Sequence, residues 1–109
     1  MAYDETNVGI LRDELAQLDG VTERRMFGGL CFMLRGNMLC GVHKNGGMAR
    51  VGKELEAEAQ KIQGVSPLSF TGRKMGGMVD VASELFDNKE TLREVLKLAI
   101  AYVGTLPEK

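Results

Sequence analysis

The amino-acid sequence predicts an α+β fold for a single domain, residues 1–109, in which helices pack on one antiparallel sheet. Three observations carry this prediction. Apolar residues recur at helical spacing near both ends of the chain, residues 21–51 instead form short apolar runs, and glycine-containing turns separate those runs. Strands joined by short turns pair antiparallel, so the predicted architecture is a two-layer sandwich with the order α-β-β-β-(β)-α-β-β-α.

The first half of the chain supplies one helix and the first strands. Val8, Leu11, Leu15 and Leu18 recur at helical spacing, and Gly20 ends this predicted helix. Predicted strands follow at residues 21–27, 30–34, 38–43 and 48–51, and the last of them is short. The run 30–34 is apolar on both faces, which is typical of a central strand.

The second half of the chain supplies two helices and two strands. A helix is predicted at residues 53–63, and strands at 67–71 and 78–82 flank a glycine-rich segment predicted to be an exposed loop. The last helix begins at Asp87-Asn88-Lys89-Glu90, which resembles a capping box. Its predicted buried stripe consists of Leu92, Val95, Leu96, Ala99, Tyr102 and Val103.

The chain offers few groups for catalysis or metal binding. A structural zinc site needs four nitrogen or sulfur ligands, and the sequence contains two cysteines and one histidine. A serine-type triad would depend on His43, which is predicted to be exposed at a strand end with no carboxylate close in sequence. We therefore expect no catalytic, metal-binding or cofactor-binding residues and no enzymatic activity.

The sequence also predicts a cytoplasmic protein with reduced thiols. No run approaches the roughly 18 apolar residues of a membrane-spanning helix, and residues 1–7 are acidic, unlike a signal peptide. If Arg35 lies opposite Met38, then Cys31 and Cys40 share a face of the hairpin and lie diagonally about 7 Å apart. That separation is marginal for a disulfide, so buried thiols in a reducing compartment are expected.

Charge is unevenly distributed along the chain, although the net charge is only −1. Residues 1–20 carry a net charge of −4, residues 21–80 carry +4 and residues 81–109 carry −1. If basic side chains of the middle segment converge, they form a contact patch for an anion, nucleic acid or partner; the candidates are Arg24, Arg25, Arg50, Arg73 and Lys74. The other interpretation is scattered, solvated charge. Aromatic residues are sparse in this segment, so any nucleic-acid binding is expected to be weak.

Four short motifs along the chain match the pattern of a known family. They are Arg25-Met26-Phe27-Gly28-Gly29-Leu30, Gly36-Asn37-Met38, Arg50-Val51-Gly52, and Phe70-Thr71-Gly72-Arg73 with Met75 after it. With them the sequence resembles the N-terminal domain of the TfoX/Sxy family of bacterial competence regulators. The resemblance implies a curved antiparallel sheet, similar to secretion-chaperone-like domains, and a role in transcriptional control of competence. It implies no catalytic residue. Full-length regulators add a second, helical domain, whereas this sequence ends at Lys109. We therefore expect a stand-alone form of the N-terminal domain.

The family motif Met26, Phe27, Gly28 and Gly29 has two interpretations. Paired glycines let a backbone approach a ligand phosphate closely. Known phosphate loops, however, lead into a helix, whereas this motif leads into an apolar strand. The favoured interpretation is a bend between strands with Met26 and Phe27 in the core.

Two functional hypotheses follow from these observations. The first is a non-enzymatic regulatory or protein-interaction domain, whose partner is a regulatory protein or a second copy of the chain. The alternative is a nucleic-acid-associated module with a modest basic patch. Strict alternation places Leu39 on one face of its strand and Met38, Cys40 and Val42 on the other. Helices are expected to cover only one sheet face, which leaves the face carrying Met33 free for a homodimer contact.

Overall fold

The computed structural model describes residues 3–26, 28–70 and 73–109, and at residues 69–70 and 73–75 it describes the backbone without the side chains. Six antiparallel strands form one open sheet in the order β1-β2-β3-β4-β6-β5. The strands are Val21–Met26 (β1), Gly29–Leu34 (β2), Asn37–His43 (β3), Gly46–Arg50 (β4), Val65–Phe70 (β5) and Arg73–Ala82 (β6). The helices are Glu5–Glu14 (α1), Glu56–Gln60 (α2) and Lys89–Val103 (α3), with a 3₁₀ turn at Ser83–Asp87. The predicted α+β fold and element order are confirmed, including the fourth, short strand.

The caps of the two longer helices explain where each begins. The Asp4 carboxylate accepts a hydrogen bond from the Thr6 amide at 2.8 Å and starts α1. The Asn88 side chain accepts from the Thr91 amide at 3.3 Å and starts α3 close to the predicted position. The end predicted for the first helix is wrong, because α1 stops at Glu14 and the chain continues to Leu18 in turns. The second predicted helix is also too long, since α2 has only five residues.

All three helices pack on one face of the sheet and form what we call the helix-side core. The predicted buried stripe of α3 lies in it, except that Tyr102 is half-buried. β2 is buried along its whole length, as expected for a central strand. The buried residues of this core are Val8, Leu11, Leu15, Leu30, Phe32, Leu34, Leu39, Cys40, Val42, Ala49, Val51, Ala59, Val65, Val79, Val81, Leu85, Phe86, Leu92, Val95, Leu96, Ala99 and Val103.

A β-bulge in β3 changes which side chains share a face. Phe32 is paired with Cys40 and Met33 with Met38, so Leu39 is the extra residue. In such a bulge two consecutive side chains face the same side, and both Leu39 and Cys40 lie in the helix-side core. The prediction that Leu39 and Cys40 occupy opposite faces is therefore wrong. The predicted shared face of the two thiols is wrong as well, because Cys31 lies on the other side of the sheet.

The second face of the sheet is also buried within the chain. Its buried members, which we call the methionine cluster, are Cys31, Met33, Met48, Leu68 and Met78, with Met26 and Met38 half-buried at its rim. Because these residues come from strands across the whole sheet and still pack together, the sheet curves around them. Met33 is only 7% exposed, so the expected uncovered face is not present and a homodimer through it loses its motive.

An irregularity in the β5–β6 hairpin shapes the far edge of the sheet. Pro67 is paired with Val79 but Ser69 is paired with Lys74, so β6 contains several extra residues at this point. Gly77 lies among them with a φ of +83°, a conformation that favours glycine. The loop predicted before Met78 is therefore wrong from Arg73 onward, since these residues belong to β6; Thr71 and Gly72 lie outside the described residues.

Candidate functional site

An open cleft of about 710 Å³ lies where the end of β4, the segment before α2, the irregular part of β6 and the end of α3 meet. Basic, acidic, aromatic and apolar side chains share its wall. The lining residues are Arg50, Val51, Gly52, Lys53, Glu54, Leu55, Gly76, Gly77, Ala101, Tyr102 and Thr105. This mixture of an apolar floor and a few polar groups is typical of a binding site.

Glycine at position 52 seats an aromatic ring against the cleft wall. Gly52 has a φ of +81°, and a Cβ added there would lie 2.6 Å from Cδ1 of Tyr102. The ring therefore packs directly on the backbone. The guanidinium carbon of Arg50 lies 5.7 Å from the centre of the same ring, within the range of a cation–π contact. The Tyr102 carbonyl accepts a 2.7 Å hydrogen bond from the Thr105 hydroxyl, which holds the last turn beside them.

The opposite wall depends on the irregular part of β6. The Gly77 carbonyl accepts hydrogen bonds from the Val51 amide at 2.9 Å and the Gly52 amide at 3.0 Å. The Gly77 amide donates to the Glu56 carboxylate at 2.8 Å, which ties β6 to α2. Lys53 lies along Gly76, because a Cβ added to Gly76 would come within 3.1 Å of its Cε. Backbone contacts thus fix the segment that carries Lys53.

The cleft presents two cations for which the described residues supply no ion-pair partner. Within the described part of the chain, neither Arg50 nor Lys53 forms a salt bridge. Glu54 also lines the cleft, so its wall carries two positive charges and one negative charge. A carboxylate or phosphate entering the cleft can pair with Arg50 and Lys53 while apolar groups contact Tyr102, Leu55 and Ala101.

The other residues proposed for a basic patch lie elsewhere on the sheet or outside the description. Arg24 and Arg25 are exposed neighbours on β1, so their side chains leave opposite faces of the strand. Strand β1 is three positions from β4 in the sheet order, and therefore Arg50 belongs to a different region. The backbones of Arg73 and Lys74 lie in β6, but their side chains are outside the described residues. The contact role of this set stays a prediction.

The family motif lies at the turn between β1 and β2. Met26 is paired with Gly29, Gly28 has a φ of +73°, and Phe27 lies outside the described residues. A Cβ on Gly29 would collide with the carbonyl oxygen of Val42 on β3. The glycine therefore allows close approach of two strands, and Met26 packs against the methionine cluster, in agreement with a bend between strands.

His43 is not exposed as predicted, because long-range strand pairing gives it a carboxylate partner. Its Nε2 lies 2.7 Å from Oδ1 of Asp80, and its side chain is 15% exposed. The Asn45 amide donates to Nδ1 at 3.0 Å, so in the neutral ring the proton is on Nε2 and is donated to Asp80. Both ring nitrogens are occupied by contacts within the chain. No local pattern in the sequence indicates this pair, since the two residues are on β3 and β6.

The two thiols are buried and un-ionised at neutral pH. Burial raises the pKa of Cys31 to about 11. Burial, followed by the nearby Cys31 group, raises the pKa of Cys40 further above its usual value. Because the thiolate is the nucleophile, both groups are weak nucleophiles in the folded chain.

Only some of the residues that line the cleft can be predicted from the sequence. Arg50 was among the candidates because it lies in the basic middle segment. Lys53 belonged to the same segment, but nothing in the sequence connected it with residues 76 and 77. Tyr102 followed the apolar stripe of the last helix, so its place at the edge of that stripe could not be distinguished from a core position. The half-exposed ring became visible only with its packing on Gly52.

Comparison with known proteins gives one finding. A protein-family model, described as the TfoX N-terminal domain, matches residues 13–102. No curated protein and no solved structure matches the chain. Among the described residues, no helix combines the length and apolar character needed to cross a membrane.

Proposed function

The chain belongs to the TfoX N-terminal domain family, and from this membership we propose that it is a non-enzymatic regulatory domain that binds another protein through the cleft at Arg50. The bound element would be a segment of a regulatory partner that carries a carboxylate beside an apolar side chain. We include in this proposal the role in transcriptional control of bacterial competence that the resemblance implies. The proposed location of the protein is the cytoplasm.

The observation that carries the proposal is a pair of cations, without a salt bridge among the described residues, beside a half-exposed aromatic ring. The Tyr102 ring restricts Arg50 to one side of the cleft, which reduces the entropy lost when the guanidinium binds a carboxylate. Aromatic and arginine side chains are also the residues that contribute most to protein interfaces. Leu55 and Ala101 supply the neighbouring apolar contact.

The chemistry of the remaining polar groups supports a binding role over a catalytic one. His43 is held by Asp80 and the Asn45 amide, so it has no free nitrogen to act as a base. The high pKa of Cys31 keeps its thiol protonated. Neither His43 nor Cys31 is among the residues that line the cleft.

A nucleic-acid role has weaker support from the same geometry. Electrostatic binding to a phosphate backbone requires several cations on one surface. The exposed arginines of β1 leave opposite faces of that strand and lie three strands from β4. We therefore treat nucleic-acid binding as the alternative, which the experiment must distinguish from binding of a protein segment in the cleft.

The test is a selection of short random peptides on the immobilised protein, followed by affinity measurements on purified variants. We expect selected peptides to be enriched in Asp or Glu next to an aromatic or aliphatic residue. In the double variant Arg50→Gln/Lys53→Gln, fluorescence anisotropy should show binding weakened by about tenfold or more, because charge-assisted hydrogen bonds are lost. The matched control is Arg24→Gln/Arg25→Gln, which removes the same charge from β1.

Two results would contradict the proposed function. One is equal loss of affinity in both double variants, which would indicate general attraction by net charge. The other is tight binding of a DNA or RNA oligonucleotide that decreases steeply between about 50 and 200 mM salt and more in the β1 variant. That second result would favour the nucleic-acid alternative.

A further inference from the structure

Among the described residues, the methionine side chains all lie on one face of the sheet, together with Cys31. Four of the five buried residues of the methionine cluster carry sulfur, and the two half-buried residues at its rim are Met26 and Met38. Among the described buried residues of the helix-side core, none is methionine and only Cys40 carries sulfur. An ordinary apolar core shows no reason for this division, because leucine or isoleucine would fill either face equally well.

Glycine at position 41 leaves room for the end of the Met48 side chain beside the backbone of Cys31. Cys31, Gly41 and Met48 are paired in one row across β2, β3 and β4. A Cβ on Gly41 would lie 3.1 Å from Cα of Cys31 and 3.1 Å from Cε of Met48. The Met48 side chain therefore lies over the glycine and towards Cys31. A side chain at position 41 would occupy the space that the Met48 methyl group fills.

We propose that the methionine cluster binds one soft monovalent metal ion, Cu(I), through the thioethers of Met33, Met48 and Met78 and the sulfur of Cys31. Thioether and thiolate ligands select Cu(I) over harder ions. Among the described residues, no three His, Cys, Asp or Glu side chains form a group that could hold a metal ion. Thioethers are therefore the ligands that would define this site.

The cluster is reachable by an ion although a larger ligand would not enter it. Met33 and Met78 retain 7% and 6% of their surface exposed, and the flexible side chains of Met26 and Met38 form the rim. Methionine has three rotatable side-chain bonds and can reorient its sulfur without moving the backbone. None of the four proposed ligand residues lines the cleft, so the metal titration does not depend on the proposed function.

The test uses Ag(I) as silver nitrate in chloride-free buffer, since Ag(I) has the ligand preference of Cu(I) without its redox chemistry. The full chain is labelled with ¹³C at the methionine methyl groups and titrated by NMR. We expect saturation at one equivalent, with shifts at Met33, Met48 and Met78. The variant Met33→Leu/Met78→Leu should bind Ag(I) at least about tenfold more weakly than the parent protein. The variant Met48→Leu should also bind Ag(I) more weakly. Leucine nearly conserves volume, so these variants should fold, which circular dichroism checks.

The matched control is Cys40→Ala, which removes a sulfur from the helix-side core. It should leave Ag(I) affinity unchanged, whereas Cys31→Ala should weaken binding while the methyl shifts persist. In competition with a Cu(I) chelator, the parent protein should take Cu(I) from the chelator, whereas the leucine variants should not. Unchanged affinity in the leucine variants, or methyl groups that do not respond to bound Ag(I), would overturn the proposal and leave the methionines as core-filling residues.

Discussion

Introducing a carboxylate at Met33 tests whether the second face of the sheet belongs to the core of one chain. Met33 is 7% exposed, and the residues opposite it on neighbouring strands are Thr22 and Met38, which supply no positive charge. In Met33→Glu the loss of buried apolar surface costs about 1.5–3 kcal/mol. The charge adds a penalty, but the side chain takes up a proton when that penalty exceeds the cost of protonation.

The cost of protonation limits the effect at each pH. At pH 7 the usual pKa of glutamate, about 4.3, is about 2.7 pH units away, which corresponds to about 3.7 kcal/mol. The free energy of unfolding should therefore fall by about 5–7 kcal/mol at pH 7. At pH 5 the protonation cost is about 1 kcal/mol, so the decrease should be about 2–4 kcal/mol. The sign follows because burial raises the pKa of the introduced carboxyl, so the variant recovers stability as pH falls.

Urea unfolding followed by circular dichroism at both pH values measures this effect. Met33→Leu is the control and should cost less than about 1.5 kcal/mol. A Met33→Glu protein within about 1 kcal/mol of the parent at pH 7 would refute the burial argument. A folded variant monomer formed from a parent dimer, seen by equilibrium sedimentation, would instead place Met33 at a contact between two chains.

Three further predictions concern other parts of the fold. Iodoacetamide should modify Cys31 and Cys40 slowly in the native chain and rapidly in urea, as measured by mass spectrometry; fast native labelling of either would contradict their burial. Gly29→Ala should strongly destabilise the protein through its backbone collision, whereas Gly9→Ala, with open space in α1, should stabilise it by up to about 1 kcal/mol, and thermal unfolding compares them. The Glu14 pKa is lowered by its hydrogen bond to an arginine of α3, so the stability from this pair should be present above the usual glutamate pKa and lost as pH falls through the folded value; Glu14→Gln should remove that part of the acid dependence.

The strand and helix order was predictable because apolar periodicity and turn residues are local signals. The bulge at Leu39 was not predictable from the sequence. Because Met38-Leu39-Cys40 is apolar throughout, nothing in the pattern shows where the alternation of side chains between the two faces is interrupted. That single residue reversed the predicted face of Cys40. In the same way, the partner of His43 lies 37 residues away in the sequence, and no local pattern indicates such a pair.

Only the positive charge of the candidate cleft could be predicted from the sequence. Arg50 could be selected because the middle of the chain is basic, but the ring that orients it arrives from the last helix. Their meeting depends on Gly52, whose positive φ and missing side chain leave room for Tyr102. A sequence pattern gives the type of such residues, whereas their proximity depends on tertiary packing.

The position of the described methionine side chains on one face of the sheet predicts how the protein responds to hydrogen peroxide. Peroxide converts a methionine thioether to a sulfoxide, a polar group that disrupts apolar packing, and methionine sulfoxide reductases reverse the reaction. Among the described residues, the methionine side chains are confined to the methionine cluster and its rim. Oxidative damage of this kind would enter at the half-buried Met26 and Met38, whereas the described residues that pack α1 and α3 on the sheet include no methionine. The contacts between these helices and the sheet would therefore not be oxidised directly.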